Sequence, residues 1–152
     1  EWGISKLVPE SCEGCFDDGH VTGMTSWALD RDDEMSMYAI TSVQDFIIAD
    51  MFLGIGGTAY ETAVRDETEE MSKRHPNQYD RFVFAGSKHT TVSIDSTVDF
   101  SSMEGLPFDF DPEMLAVLLG TFDETEVNGV AVARWLSMGL NGEPEFMNQV
   151  YE

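Results

Sequence analysis

The chain has 152 residues, 42% of them hydrophobic, which suits one globular domain with its own core. Its 29 Asp and Glu residues against 8 Lys and Arg residues give a formal net charge of −21. This charge disfavours nucleic acid and anionic membranes as partners, and no apolar run reaches the roughly 18 residues of a membrane helix, so no membrane insertion is expected. Since the chain begins at Glu1 rather than Met, we expect a processed, engineered or partial chain.

The acidic residues are dispersed along the chain rather than gathered in a tail. Such a surface is typical of halophilic proteins in saline surroundings, and calcium binding is the alternative interpretation. No EF-hand-type calcium loop is present in the sequence to support that alternative. We therefore predict neither a metal site nor a cofactor.

Residues 1–34 are predicted to be irregular, since Pro9, several glycines and the acidic cluster 30–34 interrupt them. This segment holds both cysteines, Cys12 and Cys15, in the motif CEGC. A redox CxxC motif opens a helix after a strand, whereas the proline and glycines here indicate a loop. A local disulfide in an exported protein is our main interpretation, and a redox or metal role and free thiols are the alternatives.

Two short runs of apolar, β-branched and aromatic residues, at 35–43 and 79–86, predict buried strands. Between them, the segment FIIADMFL has the bulk of a buried helix. A polar helix is predicted at 59–74, where His75-Pro76 stops it.

The second half of the chain begins with 92–120, which we interpret as an insertion with a short apolar helix at 113–120. A last helix, ending at 141–142, is predicted from apolar residues at helical spacing, which are Val130, Val132, Trp135, Leu136 and Leu140. Strands that alternate with helices predict an α/β fold with a parallel sheet flanked by helices. No repeat or linker divides the chain, so 1–152 is treated as a single domain.

Polar side chains follow both predicted strands, and reactive groups in parallel sheets lie just beyond the carboxyl ends of strands. Asp45 follows the first strand and His89 follows the second. If the two strands are adjacent, the carboxylate can hold the imidazole in one tautomer and stabilise its protonated form, as in a catalytic acid and base pair. The alternatives are a helix N-cap for Asp45 and a hydrogen-bonded loop histidine for His89.

A nucleophile for such a pair is not visible, because no G-x-S-x-G motif occurs in the sequence. Ser42 and Ser87 lie near Asp45 and His89 in the sequence, but neither has the strand-elbow-helix context of a nucleophilic serine. In α/β-hydrolases the chain order is serine, acid, histidine. The missing serine is therefore expected upstream of Glu1.

Four segments, CEGCFDDG, SVQDFIIADMF, YDRFVFAGSKHTT and FDETEVNGVAVARWLSMGL, resemble the C-terminal half of secreted esterase-like α/β-hydrolases. The nearest group is the pectin acetylesterase-like (vtpJ-type) family, in which one strand ends in S-x-x-D, a later strand ends in G-x-x-H-T, and a V-N-G-V-x-x-x-W-L helix closes the domain. The resemblance covers most of 1–91 and 121–142 in short patches. It implies that Asp45 is the triad acid and His89 the base of a secreted or periplasmic serine esterase that acts on carbohydrate or polymer esters.

The family's nucleophile elbow and oxyanion-hole loop are absent from this sequence. We therefore expect a companion polypeptide that carries the nucleophilic serine, and we do not expect this chain to be active alone. The alternative function is a non-catalytic module, in which the acidic surface and the half-sheet serve binding or assembly.

Overall fold

Helices alternate with strands of a parallel sheet in the computed structural model, which describes residues 6, 8–16, 21–89 and 124–152. The predicted insertion 92–120 and its helix lie outside these residues. In chain order the elements are α1 (Thr22–Leu29), β1 (Met37–Ser42), a π-helix (Ile47–Phe52), α2 (Gly57–Arg74), β2 (Tyr79–Phe84), β3 (Glu126–Val127), β4 (Val130–Ala131), α3 (Val132–Leu140) and β5 (Gln149–Val150).

The sheet has three parallel strands in the order β1-β2-β5. β1 and β2 are in register over six residue pairs, from Met37 opposite Tyr79 to Ser42 opposite Phe84. The short strand β5 pairs with the second half of β2. The prediction of a mixed α/β fold with a parallel sheet is confirmed, and both predicted strands are present.

One face of the sheet packs against α3 and the β3-β4 hairpin. Phe82 and Phe84 of β2 point to this face, because alternate residues of a strand share one side. They form a buried cluster with Trp135 of α3, which is 1% exposed. This face holds the larger of the two apolar cores.

The opposite face packs against α1 and α2. Here Tyr79 of β2 contacts Leu29 of α1 and Met71 of α2, and all three side chains are buried. Met37 and Ala39 of β1 pack against this cluster from the edge of the sheet. The sheet is therefore covered by helices on both faces, as the strand and helix alternation predicted.

The polar helix α2 begins at Gly57 and ends at Arg74, close to the predicted 59–74. His75 closes it by donating its backbone N–H to the carbonyl of Met71, and Pro76 cannot continue the helix. Lys73 and Arg74 place positive charge in the last turn, where it opposes the negative end of the helix dipole.

The prediction that 1–34 is wholly irregular is wrong for residues 22–29, which form α1. Gly23 was a helix-breaking signal in the sequence, but here it permits close packing. A Cβ at this position would lie 2.5 Å from the carbonyl oxygen of Cys15, so only glycine lets the cysteine loop contact the first turn of α1. Packing therefore overrides the local preference of the sequence.

The helix predicted through Val130 begins later, at Val132, because the residues before it form a hairpin. Asn128 and Gly129 both have positive φ, 54° and 78°, as a type I′ turn requires. This turn pairs β3 with β4 and leads the chain directly into α3.

Asp80 of β2 gives a pH-dependent prediction, since burial raises its pKa above the ordinary value. A carboxyl group whose pKa is higher in the folded state opposes folding once the pH rises above the unfolded value of about 3.9. Asp80→Asn is therefore expected to raise the Tm at pH 7, and the difference should vanish as the pH falls below that value. The exposed Asp66→Asn is the control, because it removes the same charge without relieving burial; equal gains from both variants would contradict the prediction.

Candidate functional site

A histidine and an aspartate meet beyond the carboxyl end of the sheet. Nδ1 of His89 lies 2.9 Å from Oδ2 and 3.1 Å from Oδ1 of Asp45. The Asp45 side chain is 6% exposed, whereas the His89 side chain is 32% exposed. The contact expected from the sequence is therefore present, with a buried carboxylate behind an imidazole that solvent reaches. The catalytic roles of the two residues remain a prediction.

The parallel pairing of β1 with β2 brings these residues together. Since the strands run in the same direction and in register, the loops that follow them leave the sheet at the same end, the carboxyl end of the strands. Asp45 lies three residues after Ser42, the last residue of β1, and His89 lies five residues after Phe84, the last residue of β2.

Hydrogen bonds hold the two loops against each other beyond the strand ends. The backbone N–H of Val43 donates to the carbonyl of Phe84, and that of Gln44 donates to the carbonyl of Gly86. Gly86 has a φ of 100°, which side-chain-bearing residues rarely adopt, so the turn before His89 favours glycine. The backbone that carries His89 is thus fixed relative to the backbone that carries Asp45.

Ser42 adds a third contact between the loops. Its hydroxyl donates to the carbonyl oxygen of Lys88 at 2.7 Å, and Ser42 is 1% exposed. Lys88 directly precedes His89, so this bond restrains the backbone that carries His89. The hydroxyl is engaged with the backbone and shielded from solvent, which does not fit the exposed hydroxyl of a nucleophilic serine.

The Asp45 carboxylate also accepts a hydrogen bond from the backbone that follows it. Its Oδ1 accepts a hydrogen bond from the backbone N–H of Ile48 at 3.0 Å, at the start of the π-helix. The N-cap role that the sequence offered as an alternative therefore exists beside the contact with His89. One carboxylate does both, and the backbone bond restrains its orientation toward the imidazole.

Tyr60 of α2 lies in the electrostatic neighbourhood of Asp45. Burial raises the pKa of its phenol, a hydrogen bond with Thr41 opposes that rise, and the Asp45 carboxylate adds to it.

The second imidazole nitrogen of His89, Nε2, has no hydrogen-bond partner within residues 21–89 and 124–152. Ser87, which is exposed, makes no hydrogen bond with His89 there either. In a serine hydrolase this nitrogen faces the nucleophile's hydroxyl. The described part of the chain therefore holds a carboxylate and an imidazole in contact, and no hydroxyl is hydrogen-bonded to Nε2 there.

Another histidine contacts a serine, at the opposite end of the sheet. Nε2 of His75 lies 2.9 Å from the hydroxyl of Ser26, and both residues are 5% exposed. The pair joins α1 to the end of α2, and Asp30 lies 4.0 Å from the same nitrogen. His20 lies outside the described residues.

Cys12 and Cys15 lie within disulfide-bonding distance, with their Cα atoms 5.4 Å apart. The loop that carries them contacts α1 through Gly23. Trp27 of α1 donates its indole N–H to the carbonyl of Ser11, and the guanidinium of Arg31 stacks over its ring. The cysteine loop is thus attached to α1 by a hydrogen bond and by close backbone packing.

The segment FIIADMFL forms a helix, as predicted, but the prediction that this helix is buried is wrong. Only Ile47 and Ala49 are buried in the π-helix. The segment that follows Asp45 carries five large apolar side chains that are between 36% and 55% exposed. They are Phe46, Met51, Phe52, Leu53 and Ile55. Exposed apolar surface of this kind marks ligand or protein interfaces.

Neither the family models, nor the curated proteins, nor the solved structures contain a significant match to this chain. Among the described residues, no helix is both long and apolar enough to cross a bilayer, and no three His, Cys, Asp or Glu side chains are grouped to hold a metal ion. The site is therefore interpreted from its own geometry.

Proposed function

We propose that this chain is the acid-and-base portion of a secreted or periplasmic serine esterase with an α/β-hydrolase-like sheet. The observation that carries the proposal is the pair formed by Asp45 and His89 beyond two adjacent parallel strands. The buried carboxylate contacts Nδ1, and no residue in the described part of the chain is hydrogen-bonded to Nε2, which suits a substrate-side partner. The esterase-like segments of the sequence support the same assignment.

In this mechanism, Nε2 of His89 accepts the proton of a serine hydroxyl as that oxygen attacks the ester carbonyl. Asp45 keeps the Nδ1 proton directed toward itself and stabilises the imidazolium that forms. The imidazolium then donates its proton to the leaving alcohol, and the same base later activates the water that releases the acid. Ester groups of carbohydrates or other polymers are the substrate class that the sequence resemblance favours.

The serine comes from a companion polypeptide or from a segment outside this sequence, since no G-x-S-x-G motif is present. The bonds at Val43, Gln44 and Ser42 support this proposal, because they hold the Asp45 and His89 loops together within this chain, before any serine is supplied. The cysteine pair is consistent with an oxidising, extracytoplasmic compartment.

A second candidate function is a non-catalytic assembly module, and the exposed apolar residues around the π-helix favour it. In that case the Asp45–His89 contact only fixes two loops, and no nucleophile accompanies the chain. Both functions require a partner, but only the first requires a reactive serine in it.

The test begins with the native material, whose polypeptides are identified by intact mass and N-terminal sequencing. We expect a companion with a G-x-S-x-G motif, hydrolysis of p-nitrophenyl acetate by the complex, and a fluorophosphonate adduct on the companion's serine. The separated chain should show no activity above the uncatalysed rate. A native complex that neither hydrolyses the ester nor reacts with the fluorophosphonate would leave the assembly module as the better interpretation.

A further inference from the structure

β1 is an edge strand of the sheet, and it is the longer of the two edge strands, β1 and β5, in the described part of the chain. β1 pairs with β2 on one side only, and in the described part of the chain no strand pairs with its other side. β2, between two strands, has four buried residues, whereas β1 has one. Natural proteins cover or pair such edges, because unpaired N–H and C=O groups bind further strands.

The register shows which groups face outward. The N–H groups of Met37 and Val43 both bond to the β2 side, to Gln78 and Phe84. Because backbone groups alternate in direction along a strand, the N–H and C=O of Tyr38 and Ile40 point away from β2. β1 thus presents a row of donors and acceptors spaced for another extended chain.

An apolar groove lies next to β1. A cavity of about 240 Å³ lies beside β1, on the face of the sheet that α1 and α2 cover. Its lining residues are Val21, Thr22 and Thr25 at the start of α1, Met37–Ala39 of β1, and the more deeply buried Met71 and Tyr79. Every residue that lines it is uncharged, although the chain carries 29 acidic residues and a net charge of −21. The groove is therefore a neutral surface on a strongly acidic chain.

We propose that the outer edge of β1 and this groove form a docking site for a β-strand of a second polypeptide with uncharged, apolar side chains at alternate positions. The backbone N–H and C=O groups of β1 would hydrogen-bond an extended chain, and the uncharged groove would favour apolar side chains on that chain. A second copy of this chain is disfavoured as the occupant, because two chains of charge −21 repel each other. That this strand belongs to the serine-bearing polypeptide rests on the proposed function, whereas the docking itself does not.

The probe is a capped peptide, Lys-Val-Thr-Val-Thr-Val-Lys, added to the intact chain while amide hydrogen exchange is followed by NMR. Exchange at Tyr38 and Ile40 is expected to slow at least tenfold. Ala39 and Thr41, whose N–H groups face β2, should be unchanged and serve as internal controls. A peptide with proline at its central position lacks a backbone donor and should protect these amides much less.

Two matched variants locate the site. Val21→Asp places a charge in the groove at a residue that is 54% exposed, and it is expected to weaken peptide binding at least tenfold. Leu140→Asp places the same charge at the end of α3, on a residue that is 75% exposed, and should leave binding unchanged. Circular dichroism of both variants verifies that the fold is retained.

Three results would overturn the docking site. Tyr38 and Ile40 amides as protected as Ala39 in the chain alone would show that the chain's own residues cover the edge. Peptide effects confined to other residues, or no binding, would show that the edge accepts no strand. Concentration-dependent dimers that protect these amides would assign the edge to a second copy. None of these results depends on esterase activity, so the proposed function is tested separately.

Discussion

Replacing His89 by alanine is expected to lower kcat of the proposed esterase complex by roughly 10⁴- to 10⁶-fold, with little change in KM. Among the described residues, the imidazole is the one titratable group that contacts the Asp45 carboxylate, and its Nε2 has no hydrogen-bond partner there, as a proton acceptor for the proposed serine requires. The measurement is steady-state hydrolysis of p-nitrophenyl acetate by the native complex. Lys88→Ala is the matched control, because only the backbone carbonyl of Lys88 contacts Ser42.

Asp45→Asn separates a catalytic role from a structural one. The amide keeps an oxygen for the backbone N–H of Ile48, but its NH₂ group favours the wrong tautomer of His89. A loss on the order of 10⁴-fold in kcat with unchanged stability is expected. Asp50→Asn, an exposed change within the π-helix, should leave kcat unchanged. An Asp45→Asn complex that retains a tenth or more of the activity would contradict the triad assignment.

The contact between Asp45 and His89 could be predicted from the sequence because it depends on few assumptions. Each residue comes shortly after an apolar run of strand length, and adjacent parallel strands place the loops that follow them at the same end of the sheet. Adjacency of the two strands was the assumption that the structure had to supply. The third contact, from Ser42 to Lys88, was not predictable, because its donor lies at the end of β1 and its acceptor beside His89, 46 residues away.

Other elements were missed for physical reasons that differ. The Asn128-Gly129 turn was predictable, since this dipeptide is a strong hairpin signal, but the apolar spacing that continues into α3 obscured it. α1 was not predictable, because its eight residues include Gly23 and no side chain caps its start. Packing against the cysteine loop and α2 stabilises this helix instead. The exposure of the π-helix was also hidden, because composition shows apolar character and not which surface covers it.

The core that supports the site gives the largest expected effect on stability. Trp135→Ala should lower the free energy of unfolding by about 3–5 kcal/mol, as is usual for truncation of a large buried aromatic side chain. The Trp135 ring lies 5.4 Å from that of Phe82 and 5.3 Å from that of Phe146, measured between centroids. Its indole N–H donates to the carbonyl of Met147 at 2.8 Å, which ties α3 to the residues that lead into β5.

Urea unfolding followed by circular dichroism measures the change, and two further variants divide it into its parts. Trp135→Phe retains most of the apolar contact but leaves the carbonyl of Met147 without its donor, so it should cost about 1–3 kcal/mol. Leu140→Ala lies on the same helix at 75% exposure and should change stability by less than about 0.5 kcal/mol. Equal small losses for Trp135→Ala and Leu140→Ala would show that α3 does not hold the sheet. Phe82 and Phe84 of β2 pack in the same cluster as Trp135. Equal small losses would therefore also contradict the view that α3 stabilises β2, the strand that leads into the His89 loop.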